Sequence, residues 1–259
     1  MSPALPFRSA LVTGASSGIG EAMTRRLVGA GVPVVAVARR RDRLEALAAE
    51  LGEVEVLVAD LRDRGDQERV AARITDAAHP PELVVNNAGF GTSGAFAELD
   101  PDRLHDEITV NVTALTRLTH AALTAMVPRR RGWVLNVSSF AAYQPAPRLA
   151  VYAATKAYVL SLGESLHEEA RSAGVVVSTL CPGLVRTEFQ SVSNTGDYQE
   201  RFPAPLWLAV DDVAAAGLRG VAAGKAVIVP GVLYRGATSI VNVTPRWLRR
   251  LVSARVQRA

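Results

Sequence analysis

Short runs of apolar, largely β-branched residues alternate along this chain with longer stretches of helical periodicity. The runs are Ala10 to Thr13, Val32 to Ala38, Val54 to Ala59, Leu83 to Asn87, Trp133 to Val137, Val175 to Leu180 and Ala226 to Val229. Each is apolar at nearly every position instead of every second one, the pattern of a parallel strand covered on both faces. The helical stretch from Asp42 to Leu51 opens with Asp42-x-x-Glu45, the spacing of a capping box, with Asp42 as the cap. Alternation kept up from end to end predicts an α/β fold: a Rossmann-type, doubly wound, seven-stranded parallel sheet flanked by helices on both faces. No linker, repeat or low-complexity tract interrupts it, so residues 1–259 are expected to form a single domain.

Two segments depart from the alternation. Gly183 to Val210 has no clear periodicity and holds Phe189, Tyr198, Phe202 and Trp207; long irregular loops of this kind serve as lids, so residues 184–210 are expected to cover a substrate. Residues 240–259 carry five arginines and no acid, and Thr244-Pro245 reads as a helix start before mixed apolar and basic positions. This basic C-terminal tail helix could lie on an anionic membrane surface, although docking on the body or on a second subunit is the more frequent outcome.

Composition narrows the function classes. With 49% hydrophobic and 21% charged residues, the chain matches a soluble globular protein with a sizeable core. The net charge of +4 comes from the tail, because without those five arginines the basic and acidic residues balance to within one charge. A nucleic-acid groove would need basic residues and stacking aromatics spread over the body, so no nucleic-acid partner is expected. Cys181 is the only cysteine; it is expected in the core, and a disulfide framework is excluded. Met1 to Ser9 lacks the charged and apolar regions of a signal peptide, and no apolar stretch reaches the roughly 18 residues of a membrane span, so a cytoplasmic location is expected. His79, His105, His120 and His167 are scattered without metal-ligand spacing, and no metal is expected. Ser139 has no Gly-x-Ser-x-Gly elbow around it, which argues against a hydrolase.

Thr13-Gly14-Ala15-Ser16-Ser17-Gly18-Ile19-Gly20 follows the first strand and opens the first helix, the place of a dinucleotide-binding turn. Gly14 permits the tight turn, Gly18 lets the backbone approach a pyrophosphate, and Gly20 lets helix pack on strand, while the helix N-terminus offers unpaired N–H donors to the anion. Ser16, Ser17 and Ile19 complete the cradle. The second strand ends at Ala38-Arg39-Arg40-Arg41, where an NAD-specific fold usually places an acid. Arg39, with Arg40 as helper, can pair with a 2′-phosphate instead, which favours NADP(H). NAD(H) stays open as the alternative, and Arg41 reads as a solvated helix start.

Tyr152-Ala153-Ala154-Thr155-Lys156 opens a helical pattern, and its i,i+4 spacing puts phenol and ammonium on one face. A neighbouring ammonium and an oxidised nicotinamide favour phenolate, so the tyrosine is expected to approach useful acid-base strength. Taken together, Thr13 to Gly20, Asn86-Asn87-Ala88-Gly89, Asn111, Ser138-Ser139 and Tyr152-x-x-x-Lys156 make the sequence resemble the classical short-chain dehydrogenase/reductase family over roughly its first 190 residues, including Pro182-Gly183.

The resemblance implies roles position by position. Ser139, more than Ser138, orients the substrate oxygen; Tyr152 exchanges its proton; Lys156 tunes the tyrosine and holds the nicotinamide ribose. Asn111 bends its helix and holds a water leading outward from Lys156. Asp60 and Leu61 touch adenine, Asn86, Asn87, Ala88 and Gly89 support the sheet and line the adenosine side, and Val185 and Thr187 reach the carboxamide. One departure is Ser17, where many NADP-dependent members have a basic residue, which leaves Arg39 carrying the preference. The expected activity is hydride transfer between a nicotinamide and a carbonyl or secondary alcohol of a hydrophobic substrate, in a homodimer or homotetramer. The alternative is an NAD(P)-binding sensor or scaffold without turnover. Pocket walls are expected from Phe90 to Phe96, Phe140 to Val151 and the loop after Gly183.

Overall fold

A computed structural model of the chain describes residues 5–196 and 202–258. Seven parallel strands form one sheet: β1 (Ala10–Thr13), β2 (Val34–Ala38), β3 (Val54–Val58), β4 (Leu83–Asn86), β5 (Gly132–Val137), β6 (Val175–Leu180) and β9 (Val227–Ile228). Their order is β3-β2-β1-β4-β5-β6-β9. All seven expected strands are present, β1 and β6 with the expected bounds and the others with ends shifted by one or two residues. The order reverses between β1 and β4, and in such sheets ligands bind beyond the carboxyl ends of the strands at that switch point.

The continuous apolar runs are explained by burial on both faces. On one side Val12, Ala36, Val85, Leu135 and Leu180 pack with Met23 and Leu27 of α1 (Gly18–Gly29) and with Val213, Leu218 and Val221 of α8 (Val210–Ala222). On the other, Leu11, Val35, Val84, Val134 and Val177 meet Val70 and Ile74 of α3 (Arg64–Ile74) and Leu118, Ala122 and Met126 of α5 (Leu115–Arg129). Cys181 is fully buried just beyond β6.

Helix α2 (Arg41–Leu51) corrects one expectation: Asp42 is not its cap. Arg40 occupies that position in extended geometry with no side-chain capping bond, and Asp42 lies within the first turn, where its charge suits the positive end of the helix. Just before the helix begins, the Arg40 side chain turns back to Ser16 at the mouth of the cleft.

The segment after β6 is less irregular than its sequence suggests. Leu184–Val185 (β7) pairs in parallel with Trp207–Leu208 (β8), with the short turn α7 (Phe189–Val192) between them. Tyr198 lies outside the described residues. Beyond β9, α9 (Val232–Val243) and α10 (Arg246–Arg258) close the chain, so the stretch expected as one tail helix over residues 240–259 is divided between them at Thr244 and Pro245. Among the described residues no helix is long and apolar enough to cross a membrane, and no three His, Cys, Asp or Glu side chains cluster to hold a metal.

Candidate active site

A cleft of about 620 Å³ opens at the carboxyl ends of the strands. A larger hollow lies at the opposite end, around Pro33, Glu53 and Arg73, but it touches neither the glycine turn nor Tyr152. The turn forms one wall of the cleft through Gly14, Ser16, Ser17, Gly18 and Ile19. Gly14 has a φ of +68°, and a Cβ there would come within 2.7 Å of Asn87 Nδ2. Gly20 stands behind the turn, outside the cleft lining: its Cβ would lie 2.3 Å from the Gly14 carbonyl oxygen. Its part is therefore to let α1 press against the turn.

Polar bonds lock this wall to the sheet. Thr13 Oγ1 donates to Val85 O and accepts from the amides of Asn87 and Ala88, both at 3.0 Å. Asn87 Nδ2 donates to Thr13 O at 2.9 Å. Asn86 reaches into the core instead, donating to Asn136 Oδ1 at 2.9 Å and Thr119 Oγ1 at 3.0 Å. Asn87, Ala88, Gly89, Asp60 and Leu61 all line the same cleft.

Arg39 stands exposed at its rim. Arg40 is held, donating to Ser16 Oγ at 3.1 Å and to Glu188 Oε2 at 2.7 Å. Glu188 also takes Arg43 at 2.5 Å, so this carboxylate spans from the segment after β7 to the start of α2. The glycine wall and the flanking arginines fit a dinucleotide: close-approach backbone for a pyrophosphate and guanidinium charge for a further phosphate.

The chemical groups sit deeper. Helix α6 (Ala150–Arg171) carries Tyr152 and Lys156 one turn apart, with Lys156 Nζ 5.7 Å from the Tyr152 ring centre. Lys156 is 4% exposed, and its ammonium donates to Val137 O at 2.9 Å. Ser138 is buried and spends its hydroxyl on the Lys156 carbonyl at 2.7 Å. Ser139 lines the same cleft as Tyr152, and its Oγ accepts from Ala141 N at 3.1 Å.

Electrostatics here run against the expected direction. Burial pushes the Tyr152 phenol up to about 12, with the Ser139 hydroxyl pulling down and the Glu107 carboxylate adding to the rise. Burial also pushes Lys156 down to about 8, opposed by Glu107. Loss of water around the phenol outweighs what its neighbours give back. A phenol in this state keeps its proton at neutral pH and is poised as a donor.

Asn111 sits on a π-helical turn (Thr109–Ala114) between α4 (Pro101–Ile108) and α5. It is fully buried behind the cleft and does not line it. Its Nδ2 donates to Phe90 O at 2.8 Å and Thr155 Oγ1 at 3.1 Å, and its Oδ1 accepts from Phe90 N. Gly89 lets it come close to the lysine, since a Cβ there would meet Asn111 Oδ1 at 2.8 Å and Lys156 Nζ at 3.2 Å.

Pro182, Gly183, Val185 and Thr187 line the same cleft. Of the expected substrate walls, Phe90, Phe140, Ala141, Leu149, Phe189, Phe202 and Leu206 take part. Phe96 does not: it is 64% exposed on a short 3₁₀ turn, Phe96–Glu98.

Sequence reasoning missed two residues. Glu107 is fully buried one helical turn before Asn111, and burial pushes its carboxyl up to about 7 against the pull of Thr92, Lys156 and Arg103. An acid at an inward helix position, between Leu104 and Asn111, was the available signal. Tyr234 of α9 lines the cleft, accepts from Leu184 N at 2.9 Å and donates to Leu206 O at 2.8 Å. No local pattern marks it, although Gly183 makes room for it: a Cβ there would fall 1.9 Å from the Tyr234 ring.

Comparison with known proteins agrees with this geometry. Residues 8–197 match the short chain dehydrogenase family. A serine 3-dehydrogenase of Agrobacterium fabrum is 37% identical over 192 residues, which cover 73% of this chain and 76% of that protein. Among solved structures, a short-chain dehydrogenase from Sphingobium yanoikuyae in complex with NADPH superposes with a TM-score of 0.80 at 32% identity, covering 92% of this chain and 96% of that one. The bulky-bulky ketone specific alcohol dehydrogenase of Comamonas testosteroni superposes with a TM-score of 0.77 at 28% identity, covering 92% and 95%. With the glycine turn, Ser139, Tyr152 and Lys156 gathered around one cleft, the chain belongs to the short-chain dehydrogenase/reductase family of oxidoreductases.

Proposed function

We propose that this oxidoreductase uses NADP(H) to interconvert a hydrophobic ketone or aldehyde and its alcohol. The observation that carries the reading is the meeting of Ser139, Tyr152 and buried Lys156 in the same cleft as the glycine turn. When bound, the nicotinamide supplies or accepts hydride at its C4 position. The protein's own work is positional and protic. Ser139 aligns the substrate oxygen beside the phenol, and Tyr152 donates its proton to that oxygen in reduction. Lys156, fixed on Val137 O, stands behind the ring, where it would hold the cofactor ribose and pass a proton back to the phenolate left on Tyr152. Asn111 secures the backbone at Phe90 and starts the outward proton path.

Arg39 supports the NADP(H) preference, as does the NADPH bound by the Sphingobium relative. The substrate class is inferred from Phe140, Leu149, Phe189, Phe202 and Leu206 around the reacting end, in keeping with a relative named for bulky ketones. Residues 184–210 act as the lid, and the molecule works as a homodimer or homotetramer through the helices bearing Asn111 and Tyr152.

The test is turnover of NADPH and NADH against ketones graded by size, in the wild type and in Tyr152→Phe. Wild type consumes NADPH faster than NADH, and the variant keeps NADPH binding while losing roughly 10²- to 10⁴-fold in kcat. Unchanged turnover in the variant removes Tyr152 from the chemistry. Tight NADPH binding with no turnover on any carbonyl replaces the enzyme with a nucleotide sensor.

A further inference from the structure

The C-terminal helices present an apolar surface outward. On α9, Leu233, Ile240 and Val243 fall on one helical face and are 60%, 66% and 83% exposed, while Tyr234 and Thr238 point in. On α10 the amphipathicity is inverted relative to a docked helix. Trp247, Leu248, Leu251 and Val252 form an exposed arc of about 140° at 100° per residue. Among the described side chains its inward side is polar: Arg249 donates to Tyr143 O at 3.1 Å and to Thr244 O at 2.8 Å, and Ser253 is buried. Arg250 is exposed beside the arc, and Arg246 is exposed at the first turn of the helix.

Charge tells what this face meets. After Asp212 the chain has no acidic residue, while eight arginines and lysines follow. A two-fold contact with a second copy would set the same patch against itself, arginine against arginine, with no carboxylate in the segment to pair them. An anionic lipid surface answers both features, taking apolar side chains below its headgroups and arginines among its phosphates. Leu233 both lines the active-site cleft and belongs to the exposed face, so the face adjoins the substrate end of the cleft.

We infer that α9 and α10 dock this protein on an anionic membrane surface, with the substrate end of its cleft at the lipid. The docking does not depend on the reaction assigned above, and its test does not read turnover. The full chain is floated with phosphatidylcholine vesicles, alone and with about 30% phosphatidylglycerol, at low and high salt. A second arm measures molar mass by light scattering without vesicles. The variant is Trp247→Glu/Leu251→Glu, whose fold is checked by its melting temperature and NADPH binding. The wild type floats with the anionic vesicles, binds less as salt rises, and the variant binds at least tenfold less. Wild-type protein that stays in solution at every composition overturns the inference, and so does a variant that floats equally well. A wild-type dimer that becomes a monomer in the variant, with no vesicle binding by either, gives the face to a second copy of the chain.

Discussion

The two ends of the cleft are built in different ways. At the cofactor end, the backbone itself forms the surface: Gly14 and Gly20 have no room for a methyl group, and Thr13 and Asn87 tie the turn to β4 with side chain to backbone bonds. At the substrate end, side chains form the wall, and two-residue strands, β7 and β8, hold the frame with Tyr234 bridging Leu184 and Leu206. The first end fits one ligand shape; the second can be re-lined without disturbing the sheet. That difference suits a fold whose cofactor is shared across chemistries while its substrates vary.

The sharpest way to break this contrast is Gly20→Ala. Its methyl group would fall 2.3 Å from the Gly14 carbonyl oxygen and 2.5 Å from Asn87 Nδ2, both in the locked turn. Relief requires moving α1 off the turn, which costs about 3 kcal/mol or more of stability and displaces the phosphate-binding backbone. Thermal unfolding and NADPH fluorescence titration should show a lower Tm and at least a hundredfold weaker binding, about 2.7 kcal/mol. If the variant binds NADPH normally, the turn is looser than described and the contrast fails.

Glu107, fully buried near Lys156 and Tyr152, tests whether burial or charge governs that region. Its carboxyl titrates near 7 in the folded protein, above its ordinary value of 4.5, so the folded state holds this proton more tightly than the unfolded chain does. The favourable contribution is complete below pH 4.5 and is lost as pH rises through about 7. Glu107→Gln removes that loss. Lys156 and Arg103 give up a countercharge in the exchange, and Tyr152 a negative neighbour, which trims the gain to about 2 kcal/mol at pH 8. Melting curves should therefore show the variant more stable than wild type at pH 8 and nearly equal at pH 4. Equal destabilisation at both would mean that Glu107 is held by packing and hydrogen bonds, and that its charge costs nothing.

The same contrast explains what could be read from the residues alone. Strands such as Val34–Ala38 and Val175–Leu180 announce themselves because burial on both faces demands unbroken apolar runs. The glycine turn and Tyr152-x-x-x-Lys156 are legible because contiguous residues build them. Glu107 and Tyr234 are not, because their partners lie far away in sequence: Glu107 faces Thr92 and Lys156, and Tyr234 bonds Leu184 and Leu206. The pairing of β7 with β8 escaped because strands of two residues are too short to show a period. The rise in the Tyr152 value escaped for a related reason, since i,i+4 spacing shows the ammonium but not the loss of water around both groups.

Tyr234→Phe asks whether the substrate end really rests on so few bonds. The ring would stay, packed over Gly183 and edge-on to Phe140 at 5.2 Å between centres. Only the hydroxyl goes, leaving the Leu184 amide and the Leu206 carbonyl without their common partner. Unmet buried polar groups put the cost at about 1 to 2 kcal/mol. Because β7 and β8 share few other ties, that cost should fall on local opening and leave global unfolding nearly unchanged. Amide exchange should speed up in residues 184–196 and 202–208 and not in β1 or β4, KM for bulky ketones should rise, and NADPH affinity should hold. Faster exchange throughout the sheet would show instead that Tyr234 is a keystone of the whole domain, and the two ends of the cleft would then be one mechanical unit.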